Sequence, residues 1–248
     1  MLTPGRNVLT LAIDTCDARG SVCLLGELGD AKTVVHDTSE DYSVWLQRAV
    51  DEALSACRRT FSEIGLYAAV AGPGSFTGIR VALTTVKAWN EVFGVPIAAV
   101  SRLEAVARQA SRVSAGPDLV VACVDAGRGQ LYGGMYRREA ELFTRIGDEA
   151  VFAAGELIEA AVAAAGELGI SWVALDPPAL TGVAEWQPRA QRSESVQQVS
   201  GIVAPAVAQL ARIMAAENRL TDALHLDANY IRRPDAEVKW KGYSKPVV

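Results

Sequence analysis

One pattern recurs in this chain and limits what it can fold into: an apolar strand ending in aspartate, a turn carrying Arg-Gly, then a second strand. Ala12-Ile-Asp14 followed by Arg19-Gly20 is matched by Cys123-Val-Asp125 followed by Arg128-Gly129. The offset is about 110 residues, room for one supersecondary unit to be repeated whole. Around the first copy, Val8–Ile13 reads as a buried strand because its residues are apolar without alternation. Ser21–Leu25 and Ala31–His36 follow as an antiparallel meander. From Ser43, taken as an N-cap, the period turns helical: Trp45, Leu46, Ala49, Val50, Ala53, Leu54 and Cys57 share one stripe. A strand at Leu66–Ala71, a glycine-rich loop, a helix over about Thr77–Phe93, a strand at Ile97–Val100 and a helix from about Leu103 complete the half. The second half restarts with strands at Leu119–Val124, Gln130–Tyr136 and Glu141–Ile146, then helices at Gly155–Ala165 and Ala204–Asn218. Residues 177–200, rich in Gln, Arg and Ser, read as loop.

Two meander-plus-helix halves predict a duplicated α/β fold of the actin-like (ASKHA, ribonuclease H-like) kind, in two lobes. The expected division is an N-terminal lobe over 1–103, a C-terminal lobe over 104–228 whose last helix packs on the first lobe, and a tail over 229–248. With 248 residues, half of them hydrophobic, the chain can fill one large core or two small ones. The first apolar run lacks the basic flank and cleavage site of a signal peptide. No stretch approaches the roughly 20 apolar residues of a membrane span. Cys16, Cys23, Cys57 and Cys123 show no CxxC spacing and sit among apolar neighbours, as buried thiols in a reducing cytosol do. A cytoplasmic location is therefore expected. The net charge of −5 argues against nucleic-acid binding by the chain as a whole through counterion release.

The sharpest local feature is Ala71-Gly-Pro-Gly-Ser-Phe-Thr-Gly-Ile-Arg80. It joins a buried strand to a long helix, whose unpaired N–H groups suit an anion. It is not a Walker A loop, since Gly78 is followed by Ile79-Arg80, nor a dinucleotide fingerprint, since Thr77 stands three after Gly74. Two readings stay open: a nucleotide or anion contact through Gly72, Gly74, Ser75, Thr77, Gly78 and Arg80, or a tight turn binding nothing.

Gly72-Pro-Gly-Ser-Phe-Thr-Gly-Ile-Arg80 resembles the GPGSFTGLR signature of the TsaB family, a branch of the wider TsaD-like (glycoprotease, M22) group. Leu11-Ala-Ile-Asp-Thr15, Thr85-Val-Lys-Ala88, Ser101-Arg-Leu-Glu-Ala105, Val124-Asp-Ala126 with Arg128, Gly129 and Tyr132, and Asn229-Tyr-Ile-Arg232 follow in the family's order. The likeness is dense over residues 8–136 and thin over 137–228. It implies two actin-like lobes and a scaffold or activator role in making threonylcarbamoyladenosine next to the tRNA anticodon. The implied partners are the transferase TsaD and the ATPase TsaE, with a homodimer when alone. On this reading tRNA is met only through the complex, no membrane is involved, and ATP or ADP is held, if at all, at the interface with TsaD.

The residues agree with a chain that leaves the chemistry to a partner. Where the transferase carries a His-x-x-x-His metal pair, Arg102 and Val106 stand, and neither ligates a metal. His36 and His225 read as structural or surface residues. Asp14 and Asp125 sit where actin-like kinases hold magnesium and a general base, but capping of their own turns is the favoured reading. No catalytic or metal residues are expected. An actin-like ATPase using Asp14, Asp125 and the glycine loop is the alternative, and a peptidase has no plausible metal set or triad.

Pairing is assigned to the helices. The stripe along Thr77–Phe93 leaves Val81, Ala88 and Val92 off its axis, and a helix apolar on more than one side is buried twice or meets another chain. The expected interface residues are Trp45, Leu46, Ala49, Ala82, Val86, Trp89 and Phe93. Lys239-Trp-Lys-Gly-Tyr-Ser-Lys245 mixes cations with aromatics, as RNA-contacting segments do; an unstructured tail is the plainer expectation.

Overall fold

The computed structural model describes residues 8–36, 40–111, 116–140 and 142–232. Strands β1 (Thr10–Asp14), β2 (Ser21–Leu25) and β3 (Ala31–Val35) form the opening meander. They are followed by α1 (Tyr42–Ala56), β4 (Leu66–Gly72), α2 (Phe76–Phe93), β5 (Ile97–Ser101) and α3 (Arg102–Ala107). β1 pairs antiparallel with β2 and parallel with β4, giving the order β3-β2-β1-β4-β5. The second half contains β6 (Asp118–Gly127), β7 (Gln130–Glu139), β8 (Leu142–Arg145), β9 (Ala150–Ala153) and α4 (Ala154–Ala165). It continues through β10 (Gly169–Ala174), α5 (Pro178–Thr181), α6 (Gln187–Ala190), β11 (Val196–Gln198) and α7 (Ala204–Ala216). Its order, β8-β7-β6-β10-β11 with β9 on β7, repeats the first sheet strand for strand. The pairing senses match too, antiparallel across the meander and parallel beyond it.

Every residue of β1, β2 and β4 is buried, as a sheet covered on both faces requires. Helices α1 and α2 pack on β2, β3 and β4, while α7 packs on β1, β2, β4 and β5 of this first sheet. Arg212 on α7 donates from Nη2 to the carbonyls of Val8, Leu25 and Gly26 at 2.7–2.8 Å. A guanidinium is suited to this, since its fixed fork of donors can satisfy several carbonyls at a sheet end. Helix α3 lies between the sheets, against β4 and β5 on one side and β6, β7 and β10 on the other.

The structure departs from the sequence reading in four places. Ser43 is not the cap of α1: the N-cap is Asp41, which makes no side-chain cap bond. The helix starts early because the Tyr42 hydroxyl is anchored below, accepting from Gly20 N at 2.7 Å and donating to the Asp17 carbonyl. Residues 177–200 are not one loop but hold α5, α6 and the edge strand β11. Strands β9 and β10 were also unforeseen. The third strand of the second meander is Leu142–Arg145, and Glu141, expected to open it, lies outside the described residues.

Candidate functional site

The two sheets face each other across a cleft of about 420 Å³. Its walls are set by the ends of β1 and β6 and by the β4–α2 loop, so Asp17, Gly74, Ser75, Arg102, Asp125 and Asp176 all reach it. The signature segment is built mainly for close packing. A Cβ on Gly78 would stand 1.8 Å from the Thr15 carbonyl oxygen, and Thr15 Oγ1 donates to the Gly78 carbonyl at 2.6 Å. Helix α2 is thereby held against the end of β1. Gly72, at φ +125°, has the Asn229 carbonyl 2.6 Å from where its Cβ would be, so only glycine fits that turn. Ser75 caps α2 by accepting from Gly78 N, and its own N–H is taken by the Cys16 carbonyl.

The six expected anion contacts are therefore divided. Gly74 and Ser75 line the cleft. Thr77 and Arg80 line a separate groove of about 410 Å³ beside Ser43 and Val81, and Gly72 and Gly78 are buried by their packing.

The charge at the cleft floor belongs to Arg102. Its side chain is 4 % exposed, and its Nη2 donates to Asp17 Oδ2 at 2.6 Å. Asp14, fully buried, accepts from Cys16 N through Oδ1 at 2.8 Å, while Oδ2 has no partner. Burial pushes the Asp14 carboxyl up, against the opposing pull of the Arg102 charge. For Asp17, burial is outweighed by the charge and hydrogen bond of Arg102, and the group is held below the ordinary aspartate value. Asp125 is exposed and its Oδ1 accepts from Gly127 N at 2.8 Å. Both Asp14 and Asp125 thus cap their turns.

Among the described residues no three His, Cys, Asp or Glu side chains are placed to hold a metal ion. Val106 is fully buried. The His36 ring nitrogens meet the Ala18 and Glu40 carbonyls, and His225 is exposed beside Asp222.

Most of the expected interface residues belong to the chain's own core. Trp45 (1 % exposed), Leu46, Ala49, Ala82 and Val86 are buried, Trp45 with its ring edge-on to His36 and Tyr42. The first sheet needs that cover, so the broad stripe of each helix turns inward. Trp89 is half-buried against Phe61 and Tyr67. Phe93 is 52 % exposed, and with it Val92 (73 %) and Val44 (61 %), two residues absent from the expected set. Val81, Thr84, Ala88 and Val92 fall at i, i+3, i+7 and i+11, a second stripe that the core leaves half-buried to exposed.

Residues 229–232, expected to be tail, strap the lobes together and were missed as structural. Asn229 donates from N to the Ala71 carbonyl at 2.7 Å and from Nδ2 to Glu149 Oε2 at 2.8 Å. Glu149 also accepts from the hydroxyls of Ser101 and Tyr136. Arg232 Nη1 donates to the Ala126 carbonyl at 2.6 Å. One carboxylate on a loop cannot be read from sequence as the node joining three distant segments. No helix among the described residues is long and apolar enough to cross a membrane.

Two copies of one α/β unit facing each other across a cleft, with an aspartate at the end of each first strand, define an actin-like protein. The family described as TsaD, tRNA N6-adenosine threonylcarbamoyltransferase, matches residues 34–240, and the chain belongs to that family. Within it the chain is similar to proteins named tRNA threonylcarbamoyladenosine biosynthesis protein TsaB. The Bacillus subtilis (strain 168) protein is 26 % identical over 240 residues, 93 % of this chain and 96 % of the relative. That of Escherichia coli (strain K12) is 26 % identical over 234 residues, with the same two shares. The structure of YeaZ from Pseudomonas aeruginosa has the same fold, with a TM-score of 0.68 at 23 % identity over 90 % of this chain and 99 % of that one.

Proposed function

We propose that the chain is the non-catalytic scaffold subunit that pairs with a TsaD transferase when the threonylcarbamoyl group is placed on tRNA adenosine. The observation that carries this is the second stripe of α2 with Val92 and Phe93 at its end, an exposed apolar surface on a helix whose other face is already buried. The cleft supports the same reading. A buried guanidinium paired with Asp17 occupies its floor, and three carboxylates (Asp17, Asp125 and Asp176) line it, a poor receptor for a nucleotide triphosphate. Nucleotide, as ATP or ADP, would then be held where the two subunits meet, TsaE would join that pair, and tRNA would reach the chain within the complex. Alone, the same stripe would join two copies. Likeness to bacterial relatives named for tRNA threonylcarbamoyladenosine biosynthesis supports a cytoplasmic setting.

Co-expression with the same organism's transferase, followed by size-exclusion chromatography, should give a heterodimer. Val92→Glu together with Phe93→Glu should weaken pairing at least tenfold with unchanged circular dichroism, since a charge is driven into a desolvated contact. Undiminished pairing would remove this face from the interface, and transferase turnover by the chain alone would end the scaffold reading.

A further inference from the structure

Residues 229–232 pass from one lobe to the other beside the cleft, held mainly by polar contacts. On the first lobe, the Asn229 N–H donates to the Ala71 carbonyl at 2.7 Å, near the end of β4. Tyr230 stacks on Phe76, the first residue of α2, with ring centroids 4.3 Å apart and planes 8° from parallel. Its hydroxyl accepts from Arg80 Nε at 3.1 Å. On the second lobe, Arg232 donates to the Ala126 carbonyl at 2.6 Å and to Gln130 Oε1, where β6 turns into β7. The two anchorages belong to opposite walls of the cleft, which Gly74 and Ser75 line from the β4–α2 loop and Ala126 from β6. Arg232 is the last described residue, so the Lys239–Lys245 stretch that the sequence offered for RNA contact lies outside the described residues.

A second fastening meets the same strap. Glu149 accepts through Oε1 from the hydroxyls of Ser101 and Tyr136, and through Oε2 from Asn229 Nδ2. Ser101 ends β5 and caps α3, the helix between the sheets, while Tyr136 belongs to β7. One carboxylate thus ties the first sheet, the second sheet and the strap. The strap itself buries little: Tyr230 is exposed, and Asn229, Ile231 and Arg232 are half-buried. A segment held by hydrogen bonds within reach of water, with few buried apolar groups, opens at far lower cost than the fold as a whole. We infer that residues 229–232 are a releasable latch: fastened, they hold the two lobes at one angle about α3; lifted, they let the cleft widen while each lobe stays folded. The lobes remain joined through α3, which packs on both sheets and serves as the hinge. Through Tyr230 the latch also grips the first turn of α2, so the start of that helix and the lobe angle are held by the same short segment.

The latch needs no partner, so the full chain alone tests it. Spin labels on Glu52→Cys in α1 and Glu159→Cys in α4, both exposed positions, report the interlobe distance by double electron–electron resonance in a Cys57→Ser background. The parent should give one narrow distance. Asn229→Ala/Arg232→Ala should broaden it toward longer distances. In hydrogen–deuterium exchange the same variant should exchange at least about tenfold faster over residues 15–18, because three partly exposed hydrogen bonds that favour the closed state are gone. Among the described residues none of 15–18 is hydrogen-bonded to the strap, so faster exchange there reports the cleft opening and not fraying of the strap. Amides of β1 and β6 should keep the parent's protection. Glu149→Ala removes the shared acceptor and should act in the same direction; if it fails to fold, the double variant, confined to half-buried side chains, still decides. A distance that stays narrow, or faster exchange confined to the strap, overturns the latch and leaves a passive brace. Loss of protection throughout β1 and β6 overturns it as well, since the strap would then be part of the core.

Discussion

In the first lobe, β4 runs buried along its whole length, turns through tightly packed glycines and opens into α2, eighteen residues long. In the second, the equivalent strand β10 leads through Pro177 and Pro178 into α5 and α6, each four residues long. The cores differ likewise. The larger apolar cluster, with Trp45 and Tyr67 among its largest side chains, fills the first lobe and continues onto the inner face of the second sheet at Val120, Ala122, Tyr136 and Val173. The second is smaller, and an ion pair is sealed beside it: Arg138 Nε donates to Asp118 Oδ1 at 2.7 Å, and Ser171 Oγ lies 3.2 Å from Arg138 Nη2, all three residues buried. One topology is thus held in two ways. Between its strands the first lobe is filled mainly by apolar side chains, while the second adds a sealed ion pair linking β6, β7 and β10.

The largest test of that contrast is Arg138→Ala. Removing one partner leaves the Asp118 charge buried without its guanidinium, at a cost of about 3–5 kcal/mol. Urea unfolding should show this, and the double change Asp118→Leu/Arg138→Met should regain most of it, because well-packed apolar groups replace a buried pair at little loss. If the double variant is as unstable as the single one, the pair holds the second lobe through its geometry and not merely by neutralising the Asp118 charge.

A smaller effect separates the glycines of the two halves. Gly78→Ala forces a methyl group into the Thr15 carbonyl, so α2 must move away from β1, and about 1–3 kcal/mol or more should be lost. Gly201→Ala, whose Cβ would meet nothing nearer than Leu175 Cδ1 at 3.7 Å, should stay within about 0.5 kcal/mol of the parent. Equal losses in thermal unfolding would mean that the signature loop is no more tightly packed than the second lobe's turns.

Legibility in the sequence tracks what periodicity measures. The meanders, α1, α2 and the recurrence after Asp14 were readable because long apolar runs and broad stripes repeat within a few residues. So was the surplus apolar side of α2, from Val81, Ala88 and Val92. Which stripe faces inward was not readable, because Trp45 and Ala82 look the same whether they meet their own sheet or a neighbour; only the presence of β1 and β2 beneath them decides it. Strand β11, Val196-Gln-Gln198, is three residues long with a single apolar side chain, too short for a periodic signal, and its Gln197 and Gln198 side chains bond backbone carbonyls at Ser111 and Leu175. The floor of the cleft was half legible. Arg102 showed itself as a residue that cannot hold a metal, but its bond to Asp17, 85 positions earlier, exists only once α3 is wedged between the sheets.

That bond gives the smallest effect, and one that depends on pH. Asp17 is held below its ordinary value of 3.8 in the folded protein, with burial opposing and Arg102 prevailing. Its contribution is therefore fully present above the unfolded value and is lost as pH falls through the lower, folded one. Asp14 works the other way: burial raises its value, so the cost of keeping it charged is relieved as the solution is acidified. Asp17→Asn should lower stability by under about 1 kcal/mol at neutral pH, a small figure because the Asp17 side chain is 45 % exposed and water screens the pair. The difference from the parent should begin to narrow below pH 3.8 and close only below the lower folded value, where the parent too has lost the charge. A gap of constant size down to the lowest pH at which both proteins fold would mean that Asp17 acts through packing or its bond to Ala18 N, and that the guanidinium at the cleft floor is balanced by Asp14 alone.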